Sequence, residues 1–407
     1  MNILFIGRFY PKGIVETIVE DTRGKVGFSN HNFEMSLIHG FERLSDVNLR
    51  VLTAPMVFSF PHNNRNFRVK SQCYEEGKTP VHSVGFCNLA VINTFSTIFN
   101  LTKAIKKEIT HFNGDKITVI VNTPSLILSK ALFNAVEKIK GKGIKTILIV
   151  PDVPECMNNM FGKRNLKNLL VGQVNKRIAA LSQQFDRYVL LTNAMNEFYK
   201  ALPENYIVME GLIDESRISA CYREVDYTKN KEIILYTGTL ARVFGVMELV
   251  DAFEKANLKN AEFWICGSGE CASEIEQKAS ENNRIKFFGL VSSQKALELQ
   301  SKATILANPR SASGEYTKYS FPSKTIEYLL AGRSVIMNRL PGVPNEYDKY
   351  IYYPNDETVE AWVVALKQII EEDPKIRVLK SQGARQFILS NKSALAQCSR
   401  ILNLAEK

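Results

Sequence analysis

The residues best suited to chemistry lie together in Tyr319-Ser320-Phe321-Pro322-Ser323-Lys324-Thr325-Ile326-Glu327-Tyr328-Leu329-Leu330-Ala331-Gly332. A loop carrying an aromatic residue and a proline opens a helix. Glu327 falls in the first turns of that helix, and a glycine ends it. A helix N-terminus gathers unpaired N–H groups and a partial positive charge, which suits a phosphate. Lys324 adds a full positive charge there. The Glu327 carboxylate can accept hydrogen bonds from sugar hydroxyls, and the backbone of Ser320 and Phe321 leads into the same place. A phosphate beside a sugar implies a nucleotide-sugar pocket.

Four other stretches offer compatible groups. In Tyr236-Thr237-Gly238-Thr239-Leu240-Ala241-Arg242-Val243-Phe244-Gly245, Gly238 and Thr239 let backbone approach a ligand. The Arg242 guanidinium either clamps a diphosphate, as its fork of donors allows, or stands solvated in a surface loop. Gly267 in Cys266-Gly267-Ser268-Gly269 marks a strand-to-helix turn, and Leu290 follows a strand whose end could read a nucleobase edge. Asp152 lies between Pro151 and Pro154, placed either for an incoming hydroxyl or as ordinary loop polarity. Finally, Gly27 precedes an amphipathic helix expected over Phe33 to Phe41, with Ser29 or Asn30 as its cap.

These groups need a frame, and the hydrophobic pattern supplies one. Apolar runs at Glu232 to Tyr236, Glu262 to Cys266, Arg284 to Phe288, Ala303 to Ala307, Ser334 to Met337 and Tyr350 to Tyr353 alternate with helical patterns. The first half repeats this rhythm less cleanly, from Ile3 to Ile6 through Tyr188 to Thr192. Such alternation predicts an α/β protein with parallel sheets covered by helices. We expect two doubly wound Rossmann-like domains facing a central cleft. The first spans residues 1–210 and the second 211–383, with a linker near Gly211 to Asn230. A long final helix over 384–405 is expected to cross back onto the first domain. Open parallel sheets bind ligands at the carboxyl ends of their strands, which is where the motifs fall.

Composition narrows the classes. At 407 residues the chain is long enough for two cores, and 45% of it is apolar. No apolar run approaches the ~18 residues of a membrane helix, so the expected location is cytoplasmic. The seven cysteines and five histidines show no metal-ligand spacing, and no metal or bound cofactor is expected. Residues 1–210 hold 26 Lys and Arg against 17 Asp and Glu, almost the whole net charge of +10. That excess either marks solvated helix faces or suits an anionic partner, a substrate or an anionic membrane met by peripheral docking at the inner face of the plasma membrane. Clustered aromatics of a nucleic-acid platform are missing, so nucleic acid is not an expected partner.

With these residues in view, the chain resembles retaining GT-B glycosyltransferases of the large family-four type, especially branches that build bacterial surface polysaccharides. The order Gly238 to Gly245, Gly267-Ser268-Gly269, Phe288-Gly289, Asn308-Pro309 and Ser320 to Gly332 carries the resemblance, with Asp152-Val153-Pro154-Glu155 and Met209-Glu210-Gly211 in the first half. The resemblance implies a nucleoside-diphosphate sugar donor, UDP- or GDP-linked, and a saccharide acceptor, here expected to be lipid-linked. Glu327 would hold the ribose, Arg242 and Lys324 the diphosphate, and Asp152 the acceptor side. The family's other glutamate falls at Tyr319, and its phosphate-loop lysine falls at Phe244. Those departures leave two alternatives open: a non-catalytic GT-B subunit supporting an active partner, and a nucleotide-sugar epimerase.

Overall fold

Short runs of Ile, Val and Leu that are apolar at successive positions belong in sheets covered on both faces. The computed structural model of the chain contains two such sheets. It describes all residues except 14, 16, 17, 19, 21–27, 62, 63, 113, 115, 140–142, 154–165, 215–224 and 226–230, together with the side chains of 166–170. The chain divides into two units, Met1–Leu212 with Ala394–Lys407, and Ile213–Ser393.

The first unit holds β1 (Asn2–Gly7), β2 (Asn48–Thr53), β3 (Arg68–Val69), β4 (Gln72–Glu76), β5 (Thr79–Ser83), β6 (Phe86–Cys87), β7 (Lys116–Asn122), β8 (Gly143–Val150), β9 (Arg187–Leu190) and β10 (Tyr206–Val208). Eight of these join in the order β10-β9-β8-β7-β1-β2-β5-β4. All neighbours are parallel except β4 and β5, which form a hairpin. β3 and β6 make a separate antiparallel pair. Ile3, Leu4, Phe5 and Ile6 of β1 are all fully buried, as the uninterrupted run requires.

The second unit holds β11 (Glu232–Thr237), β12 (Ala261–Cys266), β13 (Ile285–Phe287), β14 (Ile305–Asn308), β15 (Ser334–Met337) and β16 (Ile351–Tyr352). They form one parallel sheet in the order β13-β12-β11-β14-β15-β16. This is the doubly wound order, reversing between β11 and β14; the first sheet reverses likewise between β1 and β7. Helix Val246–Ala256 shows how the sequence builds the covering layer. Val246, Leu249, Val250 and Phe253 form one buried stripe, and Asn257 ends the helix in the left-handed conformation.

The carboxyl end of the chain departs from expectation. Instead of one helix over 384–405 there are two, Pro374–Asn391 and Ala394–Glu406. They part where the Lys392 carbonyl accepts a hydrogen bond from Ile213 N–H (2.9 Å) and Ser393 bridges Ile213. Only the second helix belongs to the first unit, where it packs on helix Phe28–Glu42. That contact depends on Gly40, because a Cβ there would lie 2.6 Å from the Ala394 carbonyl oxygen. Helix Phe28–Glu42 itself begins earlier than expected, so Ser29 and Asn30 lie inside it rather than capping it. Most of the expected linker, 215–224 and 226–230, lies outside the described residues.

Candidate active site

In the second unit the crevice at the reversal of strand order is framed by the ends of β11 and β14. Gly238 follows β11, and the turn continues through Thr239 to Gly245, which opens helix Val246–Ala256 at φ 72°. Gly245 has no room for a side chain: a Cβ would stand 2.3 Å from the Pro309 carbonyl oxygen, just after β14. Gly267 is held as tightly. Its φ is 148°, a Cβ would lie 1.8 Å from the Gly238 carbonyl oxygen, and its N–H donates to the Gly289 carbonyl (2.8 Å). The turns after β11, β12 and β13 are thus locked together, so Gly238 and Gly267 have a clear shaping role. Thr239 is exposed, and its carbonyl accepts the Tyr236 hydroxyl (2.8 Å). Leu290 is 79% exposed beyond that lock.

Helix Ser323–Leu330 leads from the loop after β14. Its apolar side, Ile326, Tyr328 and Leu329, is buried. Lys324 and Glu327, three residues apart, stand half-exposed on the other side. The Lys324 ammonium donates to both Glu327 carboxylate oxygens, at 2.8 and 3.0 Å. Gln300 Nε2 donates to Glu327 Oε1 at 2.5 Å, so the carboxylate is held from two sides. Burial pushes the Cys266 thiol up to about 11, opposed by the positive charges of Lys295 and Lys324. Phe321 packs inward on Tyr347 (ring centroids 5.5 Å apart), and Ser320 stays half-exposed.

Arg242 is placed differently from the other cations. Its side chain is 63% exposed and paired with Glu274, while its backbone N–H donates to Glu270 Oε1 (3.0 Å). Among the described residues no hydrogen bond or ion pair joins it to Lys324 or Glu327. The guanidinium that sequence reasoning missed is Arg310, two residues beyond β14. Its Nη2 donates to Ser320 Oγ (3.1 Å), and its carbon lies 5.9 Å from the Phe244 ring centroid and 5.8 Å from that of Tyr316. Its Nε is buried and has no hydrogen-bond partner among the described residues. The supporting turn is fixed by Asn338, whose Nδ2 donates to the Pro309 carbonyl (2.9 Å) while its Oδ1 accepts from Trp362 Nε1 (2.9 Å). The only signal in the sequence is a cation two residues beyond an apolar strand; the sheet order puts it at the reversal.

In the first unit, Asp152 follows β8 and has an exposed side chain, and partial desolvation raises its carboxyl pKa. Gly27 lies outside the described residues. The reversal between β1 and β7 contains a second group missed from sequence, Glu34. It is fully buried and accepts from Arg8 N–H (2.8 Å), Asn30 Nδ2 (2.8 Å) and Asn122 Nδ2 (2.7 Å). Desolvation raises its pKa against those donors. A Cβ on Gly7 would lie 2.3 Å from Glu34 Oε2, so this carboxylate occupies the space above β1.

The fold is GT-B, built from two Rossmann-like units. Residues 231–372, about a third of the chain, match the family described as Glycosyl transferases group 1. The solved structures most similar to the chain include the lipopolysaccharide outer core galactosyltransferase WaaB in its apo form, at 15% identity over 99% of both chains (TM-score 0.60). Another is Anabaena Alr3699/HepE in complex with UDP, at 14% identity over all of both chains (TM-score 0.59). A third is sucrose-phosphate synthase (tll1590) from Thermosynechococcus elongatus, at 14% identity over 100% of this chain and 98% of the other (TM-score 0.59). Comparison with curated protein sequences gives no match. The family match is confined to residues 231–372, and the likeness over the whole chain is one of fold.

Proposed function

We propose that the protein moves a sugar, with retention, from a UDP- or GDP-linked donor to a saccharide acceptor, a lipid-linked one in the making of surface polysaccharide. One observation carries this reading. Glu327, braced by Lys324 and Gln300, stands in the first turns of a helix within residues 231–372, the stretch matched by glycosyltransferases. The similar Anabaena protein has been solved with UDP and with UDP-glucose, which favours a uridine donor here. In the reaction, the bond from the sugar's anomeric carbon to the diphosphate breaks. The acceptor oxygen bonds the same face, and its proton passes to a diphosphate oxygen. The chain's task is to hold charge: Glu327 takes the ribose hydroxyls, while Lys324 and Arg310 hold the departing diphosphate, with Arg242 at the rim. Asp152 serves the acceptor side, and the basic first unit suits work at an anionic membrane face.

Glu327→Ala is expected to weaken UDP or GDP binding about tenfold or more, because a charged hydrogen-bond acceptor is lost. Titration calorimetry measures it, and affinity equal to the parent would refute the ribose assignment. A second reading has one specific support, Tyr319 in the place of a carboxylate, with the Lys318 ammonium 4.8 Å from its ring. A non-catalytic subunit would neither hydrolyse nor transfer from any donor when purified alone, whereas the enzyme would.

A further inference from the structure

Helix Ile92–His111 of the first unit buries Leu101, Ile105 and Ile109 against the sheet. Its opposite ridge is exposed at spacings of three and four: Ile92, Phe95, Phe99, Lys103 and Lys107. Phe95 is 70% exposed and Phe99 59%. A helix that only covers a sheet gains nothing from aromatic rings turned to water. The helix also has a direction: from Ile92 to Thr102 it carries no charge, then come Lys103, Lys106 and Lys107. The Lys103 ammonium lies 4.1 Å from the Phe99 ring centroid, where apolar and basic segments meet.

Between this helix and the β3–β6 pair runs a groove of about 610 Å³. Phe67, 62% exposed, stands at its lip beside Arg68. Among the described residues its lining includes Arg68, Lys103 and Lys107 and no Asp or Glu, so the groove favours an anion. Exposed rings next to a basic groove match the layering of a bilayer, acyl chains beneath headgroup phosphates. Long basic side chains can reach such phosphates while their stems stay in apolar surroundings. Lysines near an anionic surface add electrostatic attraction to the burial of the rings.

We infer that this face seats on an anionic lipid bilayer, with Phe95 and Phe99 among the acyl chains and a phospholipid phosphate held between Arg68, Lys103 and Lys107. The inference gives the membrane-side reading above a specific surface and rests on it for its purpose, though not for its test. Full-length protein is sedimented with phosphatidylglycerol-containing and with pure phosphatidylcholine vesicles. The parent is expected to bind the anionic vesicles at least tenfold better. The double variants Phe95→Ser/Phe99→Ser and Lys103→Glu/Lys107→Glu should each lose at least tenfold, with unchanged melting temperature. Phe95→Trp should shift its emission to the blue on adding anionic vesicles, while Leu379→Trp in the second unit should not. Parent-like binding by either double variant, equal binding to neutral vesicles, or an unshifted Phe95→Trp would overturn the inference. Stabilisation by glycerol phosphate without vesicle binding would overturn it in favour of a soluble anion. The same samples are titrated with UDP. Failure of UDP binding with vesicle binding intact sinks the transferase reading and leaves the docking face standing.

Discussion

A buried guanidinium nitrogen without a partner is costly, and Arg310 Nε is in that position beside Ser320 and Phe244. An incoming diphosphate would satisfy it. Arg310→Ala is therefore expected to weaken UDP binding about 10- to 100-fold, the effect of a charge-assisted hydrogen bond. Arg242→Ala should cost little by comparison, because that side chain is exposed and already paired with Glu274. Titration of both variants gives the ranking, and a larger loss from Arg242→Ala would reverse the assignment. The contrast shows what a sequence carries at this scale. Glu327 and Lys324 were legible because a helix start and a three-residue spacing are local. Arg310 reads as loop polarity until the sheet order puts it at the reversal. The pairing of Arg242 with Glu274, and that of Glu34 with Asn122, are set by tertiary neighbours that no local pattern announces.

The strands of the second unit were legible because they are apolar on both faces. β4 and β5 were not, since Gln72–Glu76 alternates polar residues over an edge and gives no core signal. Nor was the break at Lys392-Ser393, where a long-range bridge to Ile213 interrupts an otherwise helical pattern. One element-to-element tie has a measurable weight. Arg377, in helix Pro374–Asn391, is 1% exposed and makes two bonds to the buried Glu232 carboxylate at the start of β11, at 2.6 and 2.9 Å. Removing one partner leaves a buried charge alone, so Arg377→Leu is expected to lower stability by about 3–5 kcal/mol. Adding Glu232→Leu should recover most of that loss. Urea unfolding of the two single variants and the double variant tests this, and additive losses would deny the coupling.

At the scale of the whole molecule, the charge imbalance between the two halves was plain in the sequence. That Arg68 joins Lys103 and Lys107 was not, because β3 and the helix are brought together only by the fold. The first unit is also closed by a distant segment: Cys398, Ile401 and Leu404 of the final helix lie in its core. Ile401→Ala, at a fully buried site, is expected to cost the first unit about 2–5 kcal/mol and leave UDP binding by the second nearly unchanged. Urea unfolding beside UDP titration measures both, and an unchanged unfolding midpoint would contradict it. The same closure bears on how the protein is born. Translation delivers β1 to β10 first and then the entire second unit before Ala394–Glu406 emerges. Throughout that interval the nascent first unit presents the bare apolar side of helix Phe28–Glu42 to the cell, a surface that recruits chaperones or other nascent chains. The second unit, contiguous from Ile213 to Ser393, has no such wait.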